Sequence, residues 1–201
     1  LKKKNEFYYS NLGYLLLAQV IEKASKSYYG NFLKKNILNP LKMNNTGKYH
    51  RRKLIIKMAD GYFYGQNRTS NKRCCHDASV FTGSHNLYST AEDLNKWQSE
   101  LYRNKSILNT SVINKMKEVQ VNAYNDLKYS FGLYHEEYLG MKRIWHSGHE
   151  WGYVTLVSYI KEMDLTVIYL SNSHGQEIFE SGPHSNKVHS GIVNYFLDLS
   201  N

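Results

Sequence analysis

The sequence predicts an α+β fold in which helices come first, an antiparallel sheet follows and one helix closes the chain. Up to about residue 120, apolar side chains recur at helical spacing. From about Tyr129 they give way to short segments rich in aromatic and β-branched residues, which are typical of strands. The 201 residues are 41% hydrophobic and 21% charged, an ordinary globular composition. Separate runs of helices and strands indicate the α+β class.

Two helices are expected near the start of the chain. The stretch 12–24 carries two apolar stripes, which predicts a largely buried helix with Ser10 or Asn11 as its N-cap. A second helix at 29–37 should stop before Pro40, because proline disfavours helical geometry in the residue that precedes it.

Two more helices are expected after the polar and aromatic stretch 48–77, which is interpreted as a long loop or lobe. Ser89 and Glu92 have the spacing of a capping box, and Asn109 is a good N-cap for the next helix. The residues expected to be buried on these two helices are Leu94, Trp97 and Leu101, and then Val112, Met116 and Val119.

The second half of the chain is expected to form a meander of strands. These strands are predicted at 129–135, 141–146, 151–161 and 165–171, with a turn at 162–164. A closing amphipathic helix is predicted from the spacing of Val188, Ile192, Phe196 and Leu199.

Charge and hydropathy exclude some classes of protein. The formal net charge is +9 and the pI is near 9.3, which allows a nucleic-acid or anionic-membrane partner. The basic residues stand in small scattered groups, so solvated surface charge is the favoured interpretation. Nucleic-acid binding is a weaker hypothesis, to be tested by salt-dependent binding of duplex DNA. The longest apolar run, 14–18, is far shorter than the about 20 residues of a membrane-spanning helix, and the start at Leu1 does not resemble a signal peptide.

A zinc site built on the cysteines is disfavoured. Cys74 and Cys75 are adjacent and precede His76, with His184 and His189 far downstream. Zinc sites space two cysteines by two to four residues so that both thiolates reach one ion, and adjacent cysteines do not offer this geometry easily. No relaxed disulfide between the two is expected either.

The chain contains one Ser-x-x-Lys pattern, from Ser158 to Lys161. A serine nucleophile with a lysine partner needs a helix, where residues three apart share a face. This pattern falls on a predicted strand, where residues three apart face opposite sides. We therefore reject it as a catalytic pair.

Four short stretches suggest a site through their order. They are Tyr9-Ser10-Asn11, residues 83–94, His146-Ser147-Gly148-His149 and Leu170-Ser171-Asn172. A Tyr hydroxyl near cations can have a lowered pKa and shuttle a proton, and in an extended segment Tyr9 and Asn11 point the same way. A His-x-Gly on an edge strand would place a polar side chain and accessible backbone beside a substrate. Taken alone, Tyr9 and Asn11 would more simply be a packed aromatic and a helix cap.

In this order and at these separations the motifs resemble the beta-lactamase-related serine hydrolases, from about residue 6 to about residue 196. Two further stretches, Pro40-Leu41-Lys42-Met43 and Asp60-Gly61-Tyr62, also resemble landmarks of this family. The family includes class C beta-lactamases, penicillin-binding D,D-peptidases, D-aminopeptidases and esterases, and usually works outside the cytoplasm.

The resemblance implies a hydrolase of amide or ester bonds in small-molecule or peptide substrates, with no metal or organic cofactor. It implies that Tyr9 is the general base or proton relay and that Asn11 and His146 orient the substrate. Ser147, Gly148 and His149 are then expected to bind substrate. His146-Ser147-Gly148 stands where beta-lactamases carry Lys-Thr-Gly, which favours the peptidase and esterase branches.

The family's nucleophilic Ser-x-x-Lys lies upstream of its Tyr-x-Asn motif, whereas eight residues precede Tyr9 here. We therefore expect one partial domain over 1–201, with a mainly helical lobe at 1–120 and strands plus the last helix at 121–201. A separate N-terminal segment would carry the nucleophile, and the partial domain alone should be marginally stable or associate. The alternative is a non-catalytic remnant, or a pseudoenzyme that binds without reacting.

Overall fold

A computed structural model describes residues 6–64, 70–72, 77–124, 126–150, 152–174 and 187–199. The residues of the disfavoured zinc site, Cys74, Cys75, His76 and His184, lie outside these ranges, and only the backbone of His189 is described.

The described residues form five α-helices: α1 (Asn11–Ser25), α2 (Tyr29–Leu33), α3 (Ala91–Ser99), α4 (Thr110–Lys117) and α5 (Lys187–Leu199). Helices α2 and α3 continue into π-helical turns, Lys34–Leu38 and Glu100–Asn104. Ser10 is the N-cap of α1, as predicted, and its Oγ accepts a hydrogen bond of 3.0 Å from the backbone N–H of Gly13. None of the helices in the described ranges is long and apolar enough to span a membrane.

Helix α1 is less buried than its two apolar stripes predict. Ala18 is its one fully buried residue, because the loop at Gly83 packs closely against this side of the helix. Gly83 has φ +92°, and a Cβ there would lie 2.7 Å from that of Ala18, so the contact requires glycine. Over half of the surface of four apolar side chains is exposed. We call them the open face of α1: Leu12, Leu16, Leu17 and Val20.

The cap of α3 is Thr90 and not the predicted Ser89. Thr90 is extended and its Oγ accepts from the backbone N–H of Asp93, while the Ser89 hydroxyl lies 2.7 Å from that of Thr46. The predicted buried stripe is also only partly correct. Leu101 is buried, but Leu94 and Trp97 are half-buried.

Helix α4 begins at its predicted cap, Asn109, whose side chain accepts from the backbone N–H of Ser111. The buried residue of this helix is Ile113, with no exposed surface, whereas Val112 is 47% exposed and Val119 41% exposed. The prediction that Val112, Met116 and Val119 share the buried face is therefore wrong, because α4 is rotated to place Ile113 inward.

The second half forms an antiparallel meander, as predicted. Its strands are β5 (Val121–Asn122), β6 (Lys128–Tyr129), β7 (Tyr134–Tyr138), β8 (Met141–Glu150), β9 (Tyr153–Ile160) and β10 (Leu165–Ser171), in the spatial order β10-β9-β8-β7-β6-β5. The strand predicted at 129–135 is however two paired strands, because residues 130–133 form a turn around Gly132, which has φ +82°. The turn before β10 lies at 161–164, close to its predicted position. Helix α5 contacts β10, and Val193 is its fully buried residue.

Four short strands flank this sheet: β1 (Gly47–Lys48), β2 (Tyr62–Tyr64), β3 (Ser70–Lys72) and β4 (Leu87–Tyr88). Strand β1 pairs with β4, and β2 pairs with both β3 and the last strand, β11 (Ser173–His174). The stretch 48–77 is thus a lobe with strands of its own, tied to the end of the main sheet.

An aromatic cluster forms one part of the core. Tyr134 stacks on Trp145 with ring centroids 5.0 Å apart and meets Tyr129 edge-on at 4.8 Å. Phe7 packs on the same cluster, 5.0 Å from the ring of Tyr129. This contact fixes the chain just before α1 against the sheet.

The geometry of Ser158 and Lys161 agrees with their rejection as a catalytic pair. Ser158 lies within β9 with no exposed surface, between Trp145 of β8 and Val167 of β10. Lys161 lies in the exposed turn after β9. A buried strand residue and a turn lysine do not form a nucleophile with its base.

Glu100 stabilises the connection between α3 and α4. Its buried carboxylate accepts four hydrogen bonds, from the backbone N–H groups of Ser106, Ile107 and Leu108 and from the Ser106 hydroxyl. Burial opposes ionisation, but these hydrogen bonds prevail and lower the pKa of Glu100 to about 2.

We expect Glu100→Gln to lower the free energy of unfolding by about 3 kcal/mol, because a buried amide cannot accept all of these bonds. A lowered folded-state pKa means that the wild-type stabilisation is complete above the ordinary glutamate pKa and is lost as pH falls toward about 2. The variant should lack this dependence in urea unfolding measured from pH 7 to pH 3. Glu118→Gln is the control, since Glu118 forms an exposed pair with Lys115. Equal losses in both variants would contradict the assignment.

Candidate active site

The segment Phe7–Ser10 lies directly before α1 and places Tyr9 against the sheet. We call this segment the strap. Phe7 is held by the aromatic cluster, and the Tyr9 ring lies 6.1 Å from the ring of His146, although 136 residues separate them in the chain. The structure therefore brings together two of the three residues to which the sequence analysis assigns catalytic roles.

Asn11 is the third of these residues and is the first residue of α1, with an exposed side chain. Its backbone is helical, so the extended segment expected over 9–11 ends at Ser10, which has φ −142° and ψ 105°. The helix starts here because the Ser10 hydroxyl satisfies a backbone N–H of the first turn.

His146 has a defined tautomer. Its Nδ1 lies 2.6 Å from the carbonyl oxygen of Ser147, which can only accept, so Nδ1 carries the proton. In the neutral ring Nε2 is then a hydrogen-bond acceptor. Burial lowers the pKa of His146, and the bond to Ser147 opposes this only in part. His146 therefore becomes charged only below the ordinary histidine pKa of about 6.5.

The surroundings of Tyr9 also differ from the expectation. Partial burial, with the nearby hydroxyls of Tyr14 and Tyr124, raises the pKa of Tyr9 above its ordinary value. The lowered pKa that a proton relay requires is therefore not produced by these neighbours. Tyr134, 5.5 Å from His146, is shifted the same way, and burial is the main cause that raises its pKa to about 12.

Strand β8 is open on one side where it carries the site residues. Tyr134, the first residue of β7, pairs with Trp145, so the residues after Trp145 pair only with β9 among the described strands. We call residues 146–150 the open edge of β8. The expected edge-strand setting of His146 is thus present locally, although β8 as a whole lies inside the sheet.

The remaining expected site residues lie along this open edge. Ser147 and Gly148 are partly buried, and His149 is exposed. A Cβ on Gly148 would lie 2.5 Å from the Thr155 hydroxyl of β9, so a larger residue here would force Thr155 into another rotamer.

A pocket of about 330 Å³ adjoins Tyr9. It is lined by the strap Phe7–Ser10, by Gly13, Tyr14 and Leu17 of α1, and by Tyr129. The hydroxyls of Tyr14 and Tyr129 lie 3.3 Å apart at this pocket. Sequence reasoning missed Phe7, Tyr14, Tyr129 and Tyr134 as site residues. The available signal was the abundance of tyrosine, 18 of 201 residues, which does not say which of them converge.

Residues 83–94, the second of the four ordered motifs, also approach the site. His85 lies 3.3 Å from a carboxylate oxygen of Glu150, at the end of the open edge, and its ring stacks on Phe81. In the described part of the chain, no three histidine, cysteine or acidic side chains converge as metal ligands would.

Comparison with known proteins agrees with the resemblance to the beta-lactamase-related serine hydrolases. A sequence model described as Beta-lactamase matches residues 2–186. Penicillin-binding protein 4* of Bacillus subtilis (strain 168) is 32% identical over 185 residues, which cover 86% of this chain and 41% of the relative. Teichoic acid D-alanine hydrolase of Staphylococcus aureus is 31% identical over 135 residues, or 66% of this chain and 33% of the relative.

Among solved structures, the octameric penicillin-binding protein homologue from Pyrococcus abyssi superposes with a TM-score of 0.76 and 30% identity, covering 86% of this chain and 40% of that one. The chain therefore spans less than half the length of each of these relatives. The match of fold, of the family model and of the ordered motifs leads to one conclusion: the chain belongs to the Beta-lactamase family.

Proposed function

We propose that this chain forms the tyrosine and sheet-edge parts of a serine hydrolase site that cleaves amide or ester bonds. The observation that carries the proposal is the convergence of Tyr9, the pocket beside it and the open edge of β8. Acyl transfer by a serine needs a group that moves the hydroxyl proton and a surface that holds the acyl chain. Tyr9 would supply the first and the open edge the second.

Each predicted site residue has a role in this proposal. Tyr9 relays the proton of the nucleophile, while Asn11, exposed at the start of α1, offers an amide to the substrate. An extended substrate can pair with the open edge as an added strand, with Ser147, Gly148 and His149 along it. His146, neutral and with Nε2 free to accept, would orient a donor group of the substrate.

The nucleophile is proposed to come from a segment outside these 201 residues. Ser158 and Lys161 do not form the required pair. The open face of α1 is a surface on which such a segment can bury apolar side chains, and the pocket adjoins it through Gly13 and Leu17. A lysine brought next to Tyr9 by that segment would lower the tyrosine pKa, which the described neighbours raise.

The substrate is proposed to be a D-alanyl ester or a peptide that contains D-amino acids. The relatives named penicillin-binding protein 4* and teichoic acid D-alanine hydrolase favour this class. The His-Ser-Gly stretch in place of Lys-Thr-Gly favours peptidase or esterase action over beta-lactam hydrolysis.

The chain alone is expected to hydrolyse neither nitrocefin nor p-nitrophenyl esters above background. Loss of the attacking group removes most of the acceleration of a covalent mechanism. The chain should then be co-expressed with a family segment that carries Ser-x-x-Lys, and acyl-enzyme formation followed by mass spectrometry. A burst of acyl-enzyme on the isolated chain would contradict the proposed origin of the nucleophile. A stable complex that never acylates would support the pseudoenzyme alternative instead.

A further inference from the structure

A surface loop outside the candidate site combines positive charge with exposed apolar side chains. Residues 51–58, Arg51-Arg52-Lys53-Leu54-Ile55-Ile56-Lys57-Met58, contain four basic residues and no acidic one. We call this segment the basic loop. Leu54 is 86% exposed and Ile56 80% exposed, the two highest values for large apolar side chains in the described ranges.

Two turns shape the segment that carries these exposed side chains. The loop makes two consecutive turns, closed by hydrogen bonds from Lys53 N–H to the His50 carbonyl and from Met58 N–H to the Ile55 carbonyl. Ile55, between the two exposed residues, is partly buried. The Ile55 side chain thus packs partly against the protein, whereas the side chains of Leu54 and Ile56 point to solvent.

The basic loop is attached to the end of the sheet that carries the site. The Tyr153 hydroxyl of β9 donates to the Ala59 carbonyl at 2.7 Å, and the Asn172 amide donates to that of Asp60 at 2.9 Å. Tyr153 is the strand partner of Glu150, the last residue of the open edge. A surface that holds the loop would therefore lie near this end of the sheet.

The charges of the loop are largely uncompensated. Arg51 lies 3.6 Å from the carboxylate of Asp77. Arg52, Lys53 and Lys57 form no ion pair within the ranges that the structure describes. The whole chain has a net charge of +9, so attraction to an anionic surface is not opposed by its overall charge.

We propose that the basic loop is a peripheral membrane contact, in which Leu54 and Ile56 enter the interface of an anionic bilayer and the cations bind its headgroups. Aliphatic tips flanked by lysine and arginine match this surface, where apolar area and headgroup charge are both present. A soluble polyanion would use the cations but not the two aliphatic side chains. A second copy would bring the same cations, so contact of loop with loop is repulsive.

The test measures binding of the purified chain to vesicles by co-sedimentation. Phosphatidylcholine vesicles with about 30% phosphatidylglycerol should bind the chain, and pure phosphatidylcholine vesicles should bind it far more weakly. Leu54→Ser/Ile56→Ser is expected to weaken binding at least about tenfold. Arg52→Gln/Lys53→Gln is expected to weaken it roughly 25-fold, because each basic residue near an anionic surface contributes roughly fivefold. Melting curves check that both variants stay folded.

Two variants are matched controls. Leu16→Ser/Val20→Ser removes two exposed apolar side chains from the open face of α1, and Lys34→Gln/Lys35→Gln removes the same charge from another exposed basic pair. Both should bind anionic vesicles as the wild type does. Absence of vesicle binding, or equal losses in loop and control variants, would overturn the proposal. So would binding that Leu54→Ser/Ile56→Ser leaves unchanged while soluble dextran sulfate abolishes it, since that result would indicate a polyanion site.

Discussion

Tyr9→Phe is expected to lower kcat by about 10²–10⁴-fold in the chain complemented with a Ser-x-x-Lys segment, with little change in KM. The substitution removes the hydroxyl that we propose as the proton relay and keeps the ring that packs near His146. Losses of this size are typical when one general acid–base group is removed. Single-turnover acylation, measured beside steady-state rates, shows whether the loss falls on the chemical step.

Tyr28→Phe is the control for this experiment, since Tyr28 is 79% exposed and does not line the pocket. It should leave both kcat and KM unchanged. The Tyr9 pKa gives an independent readout by NMR of labelled tyrosine. It should lie above its ordinary value in the chain alone and fall when the segment binds. If Tyr9→Phe keeps full activity, Tyr9 is a packed aromatic at a helix start and the relay must be sought elsewhere.

The second large effect is expected for His146→Lys in the same complemented enzyme. A lysine would hold a fixed positive charge where the partly buried histidine is mostly neutral. We expect measurable activity, a flat profile of kcat/KM between about pH 5 and 8, and a shift of preference toward substrates that bear a carboxylate. The wild type should instead show an inflection below the ordinary histidine pKa of about 6.5.

The pH dependence of stability gives an independent measure of the direction in which the His146 pKa is shifted. Because folding lowers the pKa of His146, wild-type stability is full above the ordinary histidine pKa and decreases as pH falls through the lower folded-state value. His146→Gln, which can still donate to the Ser147 carbonyl, should remove this dependence without adding charge. Should His146→Lys only lower the melting temperature and leave pH profile and substrate preference unchanged, His146 is a packed strand residue without a role in binding.

The sequence by itself determined where several helices and strands begin and end. Ser10 and Asn109 cap their helices as predicted, and the turn at 161–164 separates two strands at the expected place. These features depend on the few residues that form them, since a cap or a tight turn is satisfied by its own side chains and backbone. The order of the motifs likewise identified the family, because order and separation along the chain can be read without knowing the fold.

The tertiary structure alone decided burial, ionisation and the convergence of the site. The apolar stripe of α1 predicted a buried helix, yet its open face is exposed because burial depends on what packs across from it. The pKa of Tyr9 is raised, whereas a tyrosine near cations would have a lowered one, and the pKa of His146 is lowered. Both directions depend on desolvation by atoms from distant parts of the chain. The open edge of β8 exists because β7 starts at Tyr134, a pairing that no local pattern contains.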